Sequence, residues 1–296
     1  MAPAGLTLRQ GYFEDPRSFQ GLVDLLQDVF GIDIGAQNLL GGPDPTCMPF
    51  GYFDTDGRCV ANFSVFSMPL MVNGDIIKAA GYQSGAVRPE YRGRGLYRDL
   101  MQRAYAWAEQ AGYETGILLT DKPSLYQAYG FSAIPQFKFS GPPPVFKPKS
   151  DSNRRQLDLA IAEDVGLLRD RLATRRPVSE QFAVVRQVEM FLLNAHFDAS
   201  VHLTYLAELD AVVAWKWGKD GCFKLLDIAA REMPRLDTVL SNLALEPEHV
   251  EVYFTPDCLA WQGRPVAYEG SCALMMTGTR FDVREALSML SPMADF

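Results

Sequence analysis

Arg92, Gly93, Arg94 and Gly95 place two forked cations and two backbone positions without side chains in four consecutive places. The stretch around them, Ser84 to Leu100, reads as a strand, a turn, and then a helix beginning near Leu96. A helix N-terminus leaves backbone N–H groups unpaired and carries partial positive charge. Glycines let the backbone approach a phosphate with no Cβ in the way. Arginines add charge and forked donors. Each dipole contact contributes about 0.3–1 kcal/mol, so several together could hold a pyrophosphate. The third glycine of a dinucleotide-binding GxGxxG is missing, and no Gly-Lys-Ser/Thr follows as in a P-loop. Alone, such a turn is more often a solubilising surface loop; the strand before it and the helix after it favour a cradle.

No other cluster competes with this one. The five cysteines (Cys47, Cys59, Cys222, Cys258, Cys272) are scattered, with no CxxC spacing. They read as reduced thiols in the cytoplasm, not as a zinc site or a disulfide framework. His196, His202 and His249 show no mutual metal spacing, so no metal is expected. No Cys or Ser stands in the context of an activated nucleophile, which predicts direct transfer without a covalent enzyme intermediate.

The elements that must position the turn are legible around it. Leu6 to Arg9 alternates like a strand. Asp15-Pro16 opens a helix with Phe19, Leu22, Val23, Leu26 and Phe30 on one side. Cys59 to Phe66 is a strand, Asn73-Gly74 a hairpin turn, and Ile76 to Val87 holds at least one more strand. Leu96 to Ala111 is amphipathic, with Leu96, Leu100, Met101, Ala104, Ala108 and Ala111 on one face and Gly112 at its stop. Thr115 to Thr120 is a short buried strand, and Ser124 to Tyr129 a short helix.

Pro142, Pro143, Pro144, Pro148 and the polar residues to Asn153 mark a linker, because they sustain neither a helix nor a central strand. The predicted domains are 1–145 and 146–296. The second half repeats the first in flavour: helices near Ile161 to Ala173 and Arg235 to Leu243, and strands at Leu203 to Leu209, Val212 to Trp217, Val250 to Phe254 and Ser271 to Met276. It has no glycine turn. Trp215 and Trp217 share a strand face and read as core packing. The expected fold is α/β, a mixed, strongly twisted sheet in each half. The 296 residues carry a net charge of −8, which speaks against nucleic acid as a partner and suits a cationic small molecule. No apolar run reaches the ~18 residues of a membrane span, and the first residues lack the pattern of a secretory signal.

Arg92 to Tyr97 resembles the acetyl-CoA signature Arg/Gln-x-x-Gly-x-Gly/Ala of the GNAT superfamily of N-acetyltransferases. Tyr97 departs from its final small residue, as in the enhanced intracellular survival branch, which Met71 to Pro89 also resembles. The resemblance covers about Leu6 to Phe131. It implies tandem GNAT-like domains, the second degenerate. It also implies that acetyl-CoA pairs its pantetheine with the backbone at Ala86 and Val87. The phosphates would lie on Arg92, Gly93, Arg94, Gly95, Leu96 and Tyr97, with Thr120 and Asp121 completing the cofactor set. Tyr126, four residues before Gly130-Phe131, is similar to the Tyr that protonates the leaving thiolate in the family. The expected acceptor is a small-molecule amine; homo-oligomerisation stays open. No Glu or His stands on Ile76 to Val87 to serve as base, and Glu14, Asp54 and Glu90 are alternatives. The resembled branch brings its terminal carboxylate into the site, which points to Phe296; its third, sterol-carrier-like domain is absent from these 296 residues. A tRNA-dependent aminoacyltransferase and a non-catalytic acyl-CoA-binding regulatory protein are the rival readings. The first would need a basic groove, and the second would have no use for Tyr126.

Overall fold

The computed structural model describes residues 5–278 and 287–296. In chain order the first elements are β1 (Thr7–Gln10), α1 (Pro16–Phe30), β2 (Met48–Phe53), β3 (Cys59–Ser67), β4 (Leu70–Val72), β5 (Asp75–Ile77) and β6 (Ala79–Val87). There follow α2 (Leu96–Gln110), β7 (Thr115–Thr120), α3 (Pro123–Gln127), β8 (Ser132–Ala133) and β9 (Gln136–Gly141). Then come β10 (Arg154–Gln156), α4 (Ala162–Thr174), β11 (Phe182–Val184), α5 (Val188–Phe197), β12 (His202–Leu206) and β13 (Ala211–Trp217). β14 (Cys222–Ala229), α6 (Leu236–Leu243), β15 (His249–Val252), β16 (Arg264–Tyr268) and β17 (Ala273–Met276) complete the order. By packing, the chain divides into two compact units, Met1–Ser67 with Lys78–Leu118, and Met68–Ile77 with Leu119–Phe296.

In the first unit β1, β2, β3 and β6 run antiparallel in that order, and β7 lies parallel to β6. The sequence dictates the helix between β1 and β2. The Asp15 carboxylate accepts from the Arg17 amide at 3.2 Å, Pro16 presets the first turn, and Gly31 closes the helix at φ 72°. Its apolar stripe, Leu22, Leu25 and Leu26, packs against Tyr12, Phe53, Cys59 and Ala86. The stripe expected on α2 is the buried one: Leu96, Leu100, Met101, Ala104 and Ala108. The parallel step from β6 to β7 needs a crossover, and α2 supplies it.

The second unit repeats this order with other residues. β10, β12, β13 and β14 pair antiparallel in sequence, α6 crosses over, and β15 lies parallel to β14. β9 and β16 extend the sheet beyond β15, giving the order β10-β12-β13-β14-β15-β9-β16. β9 therefore runs up to Gly141, and the proline segment starts where it ends. The apolar face of this sheet, with Val213, Phe223, Leu225, Val250 and Val252, meets Leu236, Val239, Leu240 and Leu243 of α6. β4 and β5 form the hairpin expected at Asn73-Gly74, both residues at positive φ, and β4 pairs with β11. β14 and α5 are among the elements that escape sequence reading, as are β2, β9 and β16. β14 carries Lys224 and Asp227 within its apolar run, and α5 is buried on nearly all sides, so it shows no stripe.

Candidate active site

The ladder between β6 and β7 is short. Ala79, Ala80 and Gly81 pair with Thr115, Gly116 and Ile117, and the pairing stops there. Among the described residues, the edge of β6 from Tyr82 to Val87 that faces β7's side has no partner on β7. A kink starts the divergence. Ser84 sits at φ 56°, and the register between β3 and β6 shifts at this point. Asn62 holds the kink by donating from Nδ2 to the Ser84 carbonyl at 2.9 Å, and its Oδ1 accepts the Tyr12 hydroxyl at 2.6 Å. A splayed strand edge offers backbone N–H and C=O groups to an extended ligand, as a sheet edge offers them to an added strand. Ala86 and Val87 lie on this edge.

The edge leads to the turn. Arg88 is buried and fixes the strand end, with Nε donating to the Cys59 carbonyl at 2.8 Å and its guanidinium paired to Asp28. Gly93 (φ 75°) and Gly95 (φ 76°) have left-handed backbones, and a Cβ at either would meet no protein atom within 4 Å. That empty space is on the outer side of the turn, where Arg92 to Gly95 are exposed. Gly95 is the N-cap of α2 and supplies no side-chain acceptor, so the first amides of the helix keep their outward donors. Arg92 Nε donates to the Val87 carbonyl at 3.2 Å, and Arg94 to that of Glu90 at 3.0 Å with its guanidinium over the Tyr91 ring. The arginines therefore brace the turn and stay exposed. A pyrophosphate fits this cradle of open space, uncapped amides and cations.

In the second unit Tyr126 is 8% exposed, on α3, edge-on to Phe131 at 6.0 Å. Thr120 Oγ1 accepts the Lys122 amide at 2.9 Å, and Asp121 is exposed beside Lys122. Of the alternative bases, Asp54 caps the amides of Asp56 and Arg58, Glu90 is paired to Arg58 at 3.0 Å, and Glu14 is exposed.

Residues 17–134 match the model of the acetyltransferase (GNAT) domain. This part of the chain is a GNAT domain. Two uncharacterised N-acetyltransferases of Streptomyces griseus are 38% identical over 76 residues, 25% of this chain. The match spans only 18% of those relatives' length. The fold is shared more widely. Eis1 of Mycobacterium abscessus superposes with a TM-score of 0.59 at 16% identity, covering 91% of this chain and 73% of that one. A probable N-acyltransferase of Enterococcus faecalis does so with 0.57 at 16% identity, over 92% and 72%. The likeness to these two-thirds-or-more of a solved chain agrees with the tandem, GNAT-like α/β architecture expected from the sequence.

The GNAT domain accommodates its departure at Tyr97 with a glycine. The Tyr97 ring lies edge-on to Phe63 at 5.5 Å, and its hydroxyl would stand 2.5 Å from a Cβ at residue 85, which is Gly85. No thiol in the chain is activated. Burial pushes Cys59 up to about 12 and Cys258 to about 11, and it raises Cys47, Cys222 and Cys272 as well. Among the described residues no group of His, Cys, Asp and Glu could hold a metal, and no helix is long and apolar enough to cross a membrane. Phe296 is half-buried at the end of a docked segment. Its neighbour Asp295, which sequence reading passed over, is exposed as a residue, while desolvation of its carboxyl pushes it up to about 7.

Proposed function

We propose that the protein transfers an acetyl group from acetyl-CoA to a primary amine. The observation that carries this reading is the diverging β6 edge ending in the uncapped N-terminus of α2. The edge suits a pantetheine arm and the turn a pyrophosphate, so Ala86, Val87 and Arg92 to Tyr97 hold the donor, with Thr120 and Asp121 beside it. The amine attacks the thioester carbonyl directly, since all five thiols are held protonated. A C–N bond forms, the C–S bond breaks, and the Tyr126 hydroxyl gives its proton to the departing thiolate. In this reading residues 1–145 carry donor binding, and 146–296, a copy without the glycine turn, complete the acceptor site.

Two variants test it. Asp tolerates a left-handed backbone better than most residues, so Gly95→Asp should fold while setting a carboxylate against the phosphates. Calorimetry should then show acetyl-CoA binding lost; unchanged affinity rejects the cradle. Tyr126→Phe keeps the ring packed on Phe131. Thiol release with a panel of primary amines should fall by ~10² or more with acetyl-CoA affinity unchanged. A wild-type rate removes Tyr126 as the acid.

A further inference from the structure

The free edge of β6 has a closed end. Its ladder with β7 stops at Gly81, opposite Ile117, and the edge runs from there to Val87. On the other side Gly81 pairs with Phe66 of β3, and the Phe66 ring lies over it. A Cβ on residue 81 would stand 2.4 Å from Phe66 Cζ, 2.6 Å from Cε1 and 2.9 Å from Cε2. The end of the ring thus holds the space in which any other residue would carry its side chain. Phe66 and Ile117 are wholly buried.

The opposite face is closed at the same level. Side chains alternate along a strand, so Tyr82 turns away from the Phe66 side. There it stacks on Phe63 at 5.9 Å and stands edge-on to Tyr105 at 4.8 Å, next to its buried partner Val65. Back on the Phe66 face, the next pair toward Val87 is Ser64 and Gln83. An alkyl chain turning aside there would take polar groups from water without pairing them. Phe66, Gly81, Tyr82 and all these neighbours belong to the first unit.

The donor's own arm fixes where its acyl group falls on this edge. An extended peptide gains about 3.3–3.6 Å per residue over three backbone bonds. A pantetheine arm has about twelve bonds from its phosphate ester oxygen to its sulfur, the reach of about four residues. With the phosphates at the turn beyond Val87, the sulfur comes level with Gln83. The acyl carbons then have two strand steps, ~7 Å, before the ladder closes at Gly81. A two- or three-carbon acyl group fills that length. A longer chain has to enter the space of the Phe66 ring, and a close-packed interior does not yield it cheaply.

Resting on the acetyl-transfer reading, we propose that Phe66 sets the length of the transferred acyl group. It closes the donor slot over Gly81, so that acetyl and propionyl thioesters fit and a hexanoyl chain does not.

The test is calorimetry on the full chain with CoA, acetyl-CoA, propionyl-CoA and hexanoyl-CoA, which needs no acceptor. In wild type, acetyl-CoA and propionyl-CoA should bind within about threefold of each other, and hexanoyl-CoA at least ~10-fold more weakly. Phe66→Leu keeps Cγ and both Cδ atoms and lacks the three ring atoms over Gly81. It should narrow the gap between hexanoyl-CoA and acetyl-CoA by ~10-fold while CoA itself binds as before. Phe66→Ile also lacks those atoms and suits a strand, so it repeats the test in a second background. Hexanoyl-CoA binding to wild type as tightly as acetyl-CoA overturns the proposal, with no variant needed. So does an unchanged gap in Phe66→Leu and Phe66→Ile, because a residue that only packs shifts CoA and its thioesters together. Wild type that binds neither CoA nor acetyl-CoA overturns the donor reading and this proposal with it. Selective binding without release of thiol to any amine removes the transfer reading and leaves acyl length set by Phe66.

Discussion

Tyr97 and Gly85 occupy one volume between them. The signature calls for a small residue at 97, and the chain places a phenol there whose hydroxyl fills the space a Cβ at 85 would need. Phe63 is edge-on to it at 5.5 Å and stacks on Tyr82 at 5.9 Å, and Tyr82 is edge-on to Tyr105 at 4.8 Å. The spare bulk on the helix side is thus offset by a missing side chain on the strand side, close to the kink at Ser84 that opens the β6 edge. Gly85→Ala should therefore overpack the site and cost about 1–3 kcal/mol in urea unfolding. Adding Tyr97→Phe removes the closest atom and should recover part of that loss. A double variant whose costs simply add shows that the two residues do not share the volume. The departure at Tyr97 could be read from the sequence, but its compensation could not, because residues 85 and 97 meet only after the strand and helix fold together.

The elements that sequence reading located are those that follow one local rule. β7 is a short buried run bounded by polar residues, and α2 has its stripe and its stop glycine, so both fall within a residue or so of the expected bounds. β14 breaks the rule because its two charges are satisfied by partners far along the chain. Lys224 reaches Glu251 at 3.8 Å, and Asp227 meets Arg175 and Ser291. The tail is legible only in part. Its apolar character suggested a docked end, and Met289, Leu290, Met293 and Ala294 are indeed buried; the Ser291 hydroxyl that also anchors it gave no signal. Ser291→Ala should loosen the tail alone. It leaves Asp227 Oδ2, at 2.6 Å the nearer acceptor for the hydroxyl's one proton, short of a donor, a loss of about 1–3 kcal/mol. Hydrogen exchange should rise in 288–296, and acetyl-CoA affinity should hold. Unchanged exchange shows that the tail is held by other contacts.

At the scale of the whole molecule, one strand order is used twice and its open slot is spent differently each time. In the first unit β6 beyond Gly81 has no partner on β7 among the described residues; in the second the tail 288–291 bridges β9 and β14. The Asp295 carboxyl that follows this tail carries a stability cost whose sign can be worked out. Its folded pKa of about 7 lies above the unfolded 3.8, so between those values the folded state binds the extra proton. The stability linked to Asp295 is full below pH 4 and lost as pH rises through 7. Other carboxyls act in the opposite sense. Asp28, held down by Arg88, and Asp237, held down by Arg235, add stability above their unfolded values and lose it in acid. The difference between Asp295→Asn and wild type cancels those shared contributions. Urea midpoints should then coincide near pH 4, separate between pH 5 and 7, and favour the variant above pH 8. A variant more stable than wild type at neutral pH is what a desolvated carboxylate predicts. A variant less stable than wild type at pH 8 shows instead that Asp295 holds the fold together, and that its carboxyl meets a partner there.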